Sequence, residues 1–290
     1  MFLIQVLVQG IATGMIYALV GVGFALVFRA AGLFNFAHTE SYTIGALVTF
    51  TVVMQWGQPY WVSILLIGLV CGAVGVITEL AAFRRLIVKN APPVNVIVAS
   101  IALGIILRAL SLIVWGPDAQ HVKGLEAKLN LGSVVIDGQS LLVTLAVILI
   151  ILGLGLLLYR TRLGIALRAV ADNRVIAGVM GVDIRLTLPL AFGLAGALGG
   201  MAGSLVAPIL FSQFRMGQAV IIKAFSASVI GGLYNIPGTI VGGLFIGIIE
   251  SLVGVYVTSS FKDVFSFALL IVMLVVRPTG ILGRQRIEKV

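Results

Sequence analysis

Long apolar runs alternate with short polar segments along the whole chain. Most runs are about 20 residues long, enough for a helix to cross a hydrocarbon layer of about 30 Å. They are continuous, unlike the alternating apolar and polar positions of strands in a membrane barrel. The pattern predicts one transmembrane domain over 1–290: an all-α, polytopic integral membrane protein with about 8–9 transmembrane helices. The runs are 4–28, 36–54, 61–83, 95–115, 141–158, 187–210, 220–232, 238–256 and 264–276.

The run at 220–232 is shorter than the others and is followed by a helix-breaking sequence, GGLYNIPG. Pro237 and the neighbouring glycines break helices, and Asn235 favours a turn. Two interpretations remain open. The segment 220–256 forms either a tight cytoplasmic hairpin between two crossings or a discontinuous, re-entrant pair of half-helices, which needs cover from protein or water.

The composition supports a membrane protein, since 60% of the 290 residues are hydrophobic and only 10% are charged. Of the 19 basic residues, 13 lie in segments that fall on one side if the runs cross the membrane in turn, and four lie on the other. Cytoplasmic loops carry such an excess, so the net charge of +9 is explained without nucleic acid. We therefore predict an N-terminus outside, a cytoplasmic C-terminus and an odd number of crossings. The 13 residues are Arg29, Arg84, Arg85, Lys89, Arg160, Arg162, Arg168, Arg174, Arg185, Arg277, Arg284, Arg286 and Lys289.

Polar residues interrupt the start of the second run, in the stretch GLFNFAHTESYTIGALV at 32–48. In one interpretation Asn35 caps the helix and Glu40 lies near its positive end. In the other, His38 and Glu40 line a transport route or close an inner gate. They do not form a metal site, because two candidate ligands with His121 far away are too few.

Other ionisable residues inside the runs are costly to dehydrate, and such residues usually face a partner or a cavity. We expect Glu79 to pair with Arg84 near the cytoplasmic face. Arg108 and Lys223 are close enough to the outer ends of their runs to extend into the interface. Glu250 lies in the middle of its run. There, a role in facing a cavity or in pairing with another helix is as well supported as a purely structural one.

The second half is rich in small residues at helical spacing, as in GLAGALGGMAG and GTIVGGLFIG. Gly196 and Gly200 are four residues apart, as are Gly243 and Gly247. Such ridges let helix backbones approach closely in lipid. We expect helix packing, with a sliding surface or a subunit interface as the alternative.

The long basic connection at 159–186 has a helical pattern from Leu163 to Met180, which Gly181 ends. A short helix with small and basic residues suits a docking element for another protein, although a generic amphipathic interfacial helix fits as well. No P-loop or other catalytic signature occurs in the chain. The chain is therefore not expected to be an enzyme, and any ATP would be bound by another subunit.

Four motifs resemble the permeases of branched-chain amino acid ABC importers, the LivH-like family. They are GLFNFAHTESYTIGA at 32–46, RAVADNRVIAGVMGVD at 168–183, VIGGLYNIPGTIVGGLFIGIIE at 229–250 and RPTGILG at 277–283. They occur in the expected order and span nearly the whole chain.

The resemblance implies a bacterial inner-membrane permease that works by alternating access with a second, homologous permease. Two cytoplasmic ATP-binding subunits and a periplasmic or lipid-anchored solute-binding protein complete the importer, and the chain itself needs no cofactor. The segment 159–186 would be the coupling loop. The residues that fall on the coupling motif are Arg168, Ala169, Asp172, Asn173, Ala177 and Gly181. The residues expected near the substrate path are Asn35, His38, Glu40, Asn235 and Glu250.

The chain departs from the family pattern at two places, of which the first bears on the substrate and the second is conservative in size. Thr39 stands where the family commonly has glycine, and Ala177-Gly178 replaces a frequent Ala-Ala. Relatives that carry urea, short amides or other amino acids look similar at this level. A secondary transporter or channel, with Glu40 and Glu250 as proton carriers, is the alternative from a different class.

Overall fold

The computed structural model describes residues 2–124, 128–131, 134–258 and 261–283. Each of the nine apolar runs contains one long helix within these ranges, which confirms the all-α polytopic fold. The basic residues Arg284, Arg286 and Lys289 lie outside the described residues. The helices are α1 (Phe2–Ala31), α2 (His38–Phe50), α3 (Tyr60–Thr78), α4 (Arg84–Val88), α5 (Pro93–Trp115), α6 (Gly138–Arg160), α7 (Arg162–Asp172), α8 (Arg174–Val179), α9 (Ile184–Val206), α10 (Met216–Gly231), α11 (Ile236–Tyr256) and α12 (Lys262–Val276).

Single π-helical turns extend α2 through Thr51–Gln55 and join α3 to α4 through Glu79–Phe83. A small antiparallel hairpin of β1 (Lys128–Leu131) and β2 (Val134–Asp137) lies in the loop between α5 and α6. Within the described ranges, six helical segments are long and apolar enough to cross a membrane. The figure of 8–9 crossings remains a prediction. The six are Leu3–Ala31, Tyr60–Val88, Pro93–Trp115, Gly138–Arg160, Ile184–Val206 and Ile236–Tyr256.

The centre of the bundle is built from α1, α2, α9 and α10, whose residues are mostly buried. Helix α1 packs along α11 and α9, and α3 packs along α9. By contrast, the middles of α3, α5, α6 and α12 expose large apolar side chains such as Leu69 and Ile105. These outer helices are therefore suited to contact lipid tails or the apolar surface of another subunit.

The small-residue ridges are used for packing within the chain. A Cβ at Gly200 would lie 2.5 Å from Cys71 Sγ on α3, and one at Gly243 would lie 2.6 Å from Ala18 Cα on α1. Real Cβ atoms essentially never come under 3.0 Å, so glycine is required at these crossings. The packing interpretation is confirmed, because these ridges are already covered by neighbouring helices.

The bundle has two distinguishable ends. At one end, which we call the basic end, Arg84 donates to the carbonyl of Arg185 at 2.7 Å, and Arg174 lies beside the end of α1. The opposite end, which we call the hairpin end, carries β1 and β2. There the segment before β1 bridges to the α9–α10 loop through Gln120 and Ser212. Because α1 ends and α9 begins at the basic end, these two central helices are antiparallel.

Two of the central helices begin inside the bundle instead of at its ends. Helix α2 follows the non-helical segment 32–37, and its first residue, His38, contacts Val20 of α1. Val20 lies 11 residues before the end of α1, a depth of about 16 Å along the helix. Helix α10 begins beside α2, because Gly217 N donates to Thr43 Oγ1 at 2.9 Å. The segment 220–256 thus comprises the short α10 and the full-length α11, which meet at the turn 232–235.

Candidate functional site

The connection at the basic end is formed by two helices. The expected single helix from Leu163 to Met180 is wrong, because Asn173 takes an extended conformation (φ −158°) between α7 and α8. The Asn173 side chain caps α8, with Oδ1 accepting from Val175 N at 2.9 Å and Ile176 N at 3.0 Å. Gly181 ends this segment with a φ of +88°, in the left-handed region that glycine adopts readily.

Helix α8 is fixed to the end of α1. Arg174 Nε donates to the carbonyl of Ala30 at 2.9 Å. Ala177 is buried against its own chain, and its carbonyl accepts from Val182 N at 3.0 Å. Partial burial lowers the pKa of the Arg174 guanidinium, which still stays protonated at neutral pH. The hydrogen bond from Arg174 thus connects α8 to the last turn of α1.

The other side of α8 exposes an apolar surface, which we call the α8 knob: Val175, Ile176, Val179 and Met180. Val179 is 83% exposed and Met180 is 79% exposed. Of the residues on the predicted coupling motif, Asp172, Asn173 and Gly181 are exposed, and Arg168 and Ala169 are half-buried. The Arg168 guanidinium stacks over the Tyr159 ring at 4.8 Å.

At the start of α2, the expected cap by Asn35 is wrong. The residue before α2 is Ala37, and the helix has no side-chain cap. Asn35 is buried, and its Oδ1 has no hydrogen-bond partner. His38 is also buried, with Nε2 at 3.1 Å from the Val20 carbonyl.

Glu40 is buried on another side of α2 and pairs with Arg108 of α5. Thr43 also donates to Glu40 Oε2 at 3.3 Å. The expectation that Arg108 extends into the outer interface is wrong, because its guanidinium turns inward to neutralise this carboxylate. The expected pair of Glu79 with Arg84 is confirmed at 3.3 Å.

Glu250 lies on a cavity of 270 Å³ that opens between α1, α10 and α11 toward the hairpin end. Its Oε1 accepts from Lys223 Nζ at 2.7 Å, and Lys223 also reaches Asp263 at 3.0 Å. Lys223 therefore bridges the buried Glu250 to the largely exposed Asp263 at the start of α12, so it is paired with carboxylates instead of extending unpaired into the outer interface as expected. Glu250 has both of the features expected for it, an inter-helix pair and a cavity.

Asn235 lies at the opposite end of α11 from the cavity. Its Oδ1 caps α11 by accepting from Gly238 N at 3.2 Å, and its Nδ2 donates to the Leu282 carbonyl at 2.7 Å. The five residues expected near the substrate path thus lie at three separate places: the start of α2, the cavity and the basic end. A role in the path remains a prediction for each of them.

A group of aromatic rings that was not predicted from the sequence lies on the basic side of α2, and we call it the aromatic cluster. Phe34 stacks on Phe28 at 4.6 Å, and Phe225 lies 5.5 Å from Phe34 and 5.7 Å from Phe36. The signal in the sequence was the spacing of Phe24 and Phe28 on α1, followed by two more phenylalanines in GLFNF. The cluster comprises Phe24, Phe28, Phe34, Phe36, Phe225 and Tyr234.

Residues 6–274 match a protein family described as the branched-chain amino acid transport system permease component. The chain belongs to this family. It is 33% identical to the high-affinity branched-chain amino acid transport system permease protein LivH of Salmonella typhimurium, covering 100% of this chain and 98% of the relative. The similarly named BraD of Pseudomonas aeruginosa is 31% identical over 99% and 98% of the two chains.

A solved structure shares the fold of this permease family member. The chain aligns with a chain of PsaBC from Streptococcus pneumoniae, solved in complex with Fab, with a TM-score of 0.54 and 14% identity. The alignment covers 96% of this chain and 92% of that one. Within the described part of the permease, no group of three or more His, Cys, Asp or Glu side chains could hold a metal ion.

Proposed function

We propose that this chain is the membrane permease subunit of an ABC importer for branched-chain amino acids. The full-length similarity to LivH and BraD supports this substrate class, since both relatives are named for branched-chain amino acid transport. The observation that carries the mechanism is the α8 knob, an exposed apolar surface on a short helix fixed to the end of α1.

The proposed partners are those that an importer of this type needs. A second, homologous permease would complete the route. Two ATP-binding subunits would bind and hydrolyse ATP, because the sequence of this chain contains no P-loop. A periplasmic or lipid-anchored binding protein would deliver the amino acid. The chain would lie in the bacterial inner membrane with its basic end in the cytoplasm, the side that carries excess Lys and Arg. This orientation puts the N-terminus outside.

The residues suggest how the energy reaches the membrane. Val175, Val179 and Met180 would dock into a groove of an ATP-binding subunit, because exposed apolar side chains away from lipid gain from burial. Closure of the two ATP-binding subunits would then push α8. The bond from Arg174 to Ala30 passes that movement to the end of α1 and to the segment that leads into α2.

Reconstitution of the complete importer tests this proposal. We expect uptake of labelled leucine, isoleucine or valine into proteoliposomes that depends on ATP and on the binding protein. Val179→Asp should reduce co-purification of the ATP-binding subunits and abolish uptake. Ala177→Asp is unsuitable as a docking variant, because Ala177 is buried in its own chain and the substitution would disturb the fold.

Val88→Asp is the matched control, since Val88 is 77% exposed and is the last residue of α4 near the basic end but lies outside the α7–α8 connection. It should leave assembly and uptake near wild type. Uptake that proceeds without ATP-binding subunits would contradict the importer and favour a secondary transporter. Strong preference for urea or amides over the three amino acids would contradict the substrate class.

A further inference from the structure

Helix α10 carries an exposed polar side chain far from both ends of the bundle. Gln218 is exposed, and it follows Gly217, whose amide binds Thr43 one turn into α2. Since α2 itself begins about 16 Å from the end of α1, Gln218 is at mid-membrane depth. An exposed amide facing lipid tails would lack the hydrogen bonds that water provides, at a cost of several kcal/mol on hydrocarbon scales, so this face requires a polar neighbour.

The same face continues toward the basic end. Ile222 and Phe225 follow Gln218 at helical spacing and are both partly exposed. Phe225 then contacts Phe34 and Phe36, which are also partly exposed. These five residues form one continuous surface, which we call the α10 wall.

The backbone beside the α10 wall leads to the same conclusion. The segment 32–37 is non-helical and runs back from the end of α1 into the bundle. Phe34 stacks on Phe28, and Phe36 lies against Phe24, one turn further from the basic end. Non-helical backbone at membrane depth is tolerated only where protein or water covers it. Buried Asn35 with its unpartnered Oδ1 lies in this segment. The middle of α3 around Leu69, which is exposed, carries no such group.

We propose that the α10 wall is this chain's side of the transport route, that the second permease subunit faces it, and that its aromatic residues close the route on the basic side. This inference rests on the proposed function and adds which surface the amino acid passes. Gln218 offers hydrogen bonds to the charged groups of an amino acid, and the rings contact its apolar side chain.

The wall is also next to the element that the proposed function assigns to coupling. Arg174 and Gly32 line one groove of 580 Å³ at the basic end, together with Phe28 and Tyr234 of the aromatic cluster. A push on α8 therefore acts at the start of the segment that carries Phe34 and Phe36. The rings would separate when that segment moves, and the route would open toward the cytoplasm.

Thiol labelling of the assembled importer tests whether water reaches the α10 wall. We expect Gln218→Cys to react with a charged, membrane-impermeant methanethiosulfonate in at least one of the nucleotide-free and ATP-trapped states. Ile105→Cys, in the exposed middle of α5, is the control and should stay unreactive, because a thiol in lipid does not ionise. The native Cys71 is buried, so the wild-type complex sets the background.

Leak measurements test the closing role of the rings. Phe225→Ala, and the double variant with Phe34→Ala, should raise ATP-independent uptake of labelled leucine several-fold above wild type. Phe267→Ala, on the exposed face of α12, is the matched control and should not leak. A double variant that assembles with its ATP-binding subunits and shows no leak would overturn the gate.

Failure of this inference is distinguishable from failure of the proposed function. If Gln218→Cys labels no faster than Ile105→Cys in both states while the wild-type complex shows ATP-dependent uptake, the α10 wall is wrong and the importer stands. If the wild-type complex shows no ATP-dependent uptake, the proposed function itself fails.

Discussion

Replacing Gly243 with alanine tests whether the close crossing of α1 and α11 limits the stability of the bundle. An added Cβ would lie 2.6 Å from both the N and the Cα atoms of Ala18. Those backbone atoms cannot rotate away, and ordinary contact begins at 3.4 Å. The two helices would therefore have to separate along a crossing on which each buries much of its surface.

Two effects of opposite sign set the magnitude. Overpacking of a closely packed interior costs about 1–3 kcal/mol. Alanine in place of glycine within a helix gains up to about 1 kcal/mol. We therefore expect Gly243→Ala to lower the free energy of unfolding by about 0–3 kcal/mol.

Gly153→Ala is the matched control, because Gly153 lies mid-helix in α6 with no atom within 4 Å of an added Cβ. It keeps the gain in helix propensity without the steric cost. The difference between the two variants isolates that cost, expected at about 1–3 kcal/mol. Unfolding by SDS titration in mixed micelles measures both. Equal stability of Gly243→Ala and Gly153→Ala would refute the reasoning.

Three further predictions concern polar groups. Lys223→Met should destabilise the protein by about 3–5 kcal/mol because it strands the buried Glu250 carboxylate, and adding Glu250→Leu should recover much of the loss in the same SDS titration. Arg108→Gln should strand Glu40 likewise, with rescue by Glu40→Gln in a thermal denaturation; an unrescued double variant would show that the pair has another role. Asn173→Ala should weaken α8 by about 1 kcal/mol through loss of its cap. Faster hydrogen exchange in α8 with unchanged exchange in α9 would show this, and equal protection in both would contradict it.

Much of the fold could be predicted because membrane helices leave a strong signal in one dimension. A continuous apolar run must satisfy its backbone internally, so each of the nine runs gave a helix. The pair of Glu79 with Arg84 was predictable for the same reason, since its two members are five residues apart at the end of one span. The family followed from motifs whose order is itself a property of the sequence.

The partners of the other buried charges could not be predicted, because they lie far apart along the chain. Arg108 is 68 residues from Glu40, and Lys223 is 27 residues from Glu250. From neighbouring residues alone, each cation was predicted to extend to the nearer membrane interface. In the folded chain each one pairs with a carboxylate from another helix. The break at Asn173 was also missed, because apolar spacing continues across it while the side chain caps the next helix.

The sequence by itself determined that this protein is a helical membrane permease, since hydrophobic length and local motifs depend only on residues near one another in the chain. Only the tertiary structure decided which polar groups distant in the sequence meet, that α2 and α10 begin inside the bundle, and that Gln218 shares one face with Phe34, Phe36 and Phe225 of the aromatic cluster. Those features depend on how helices cross, and the crossings depend on contacts between glycines and backbones distant in the sequence.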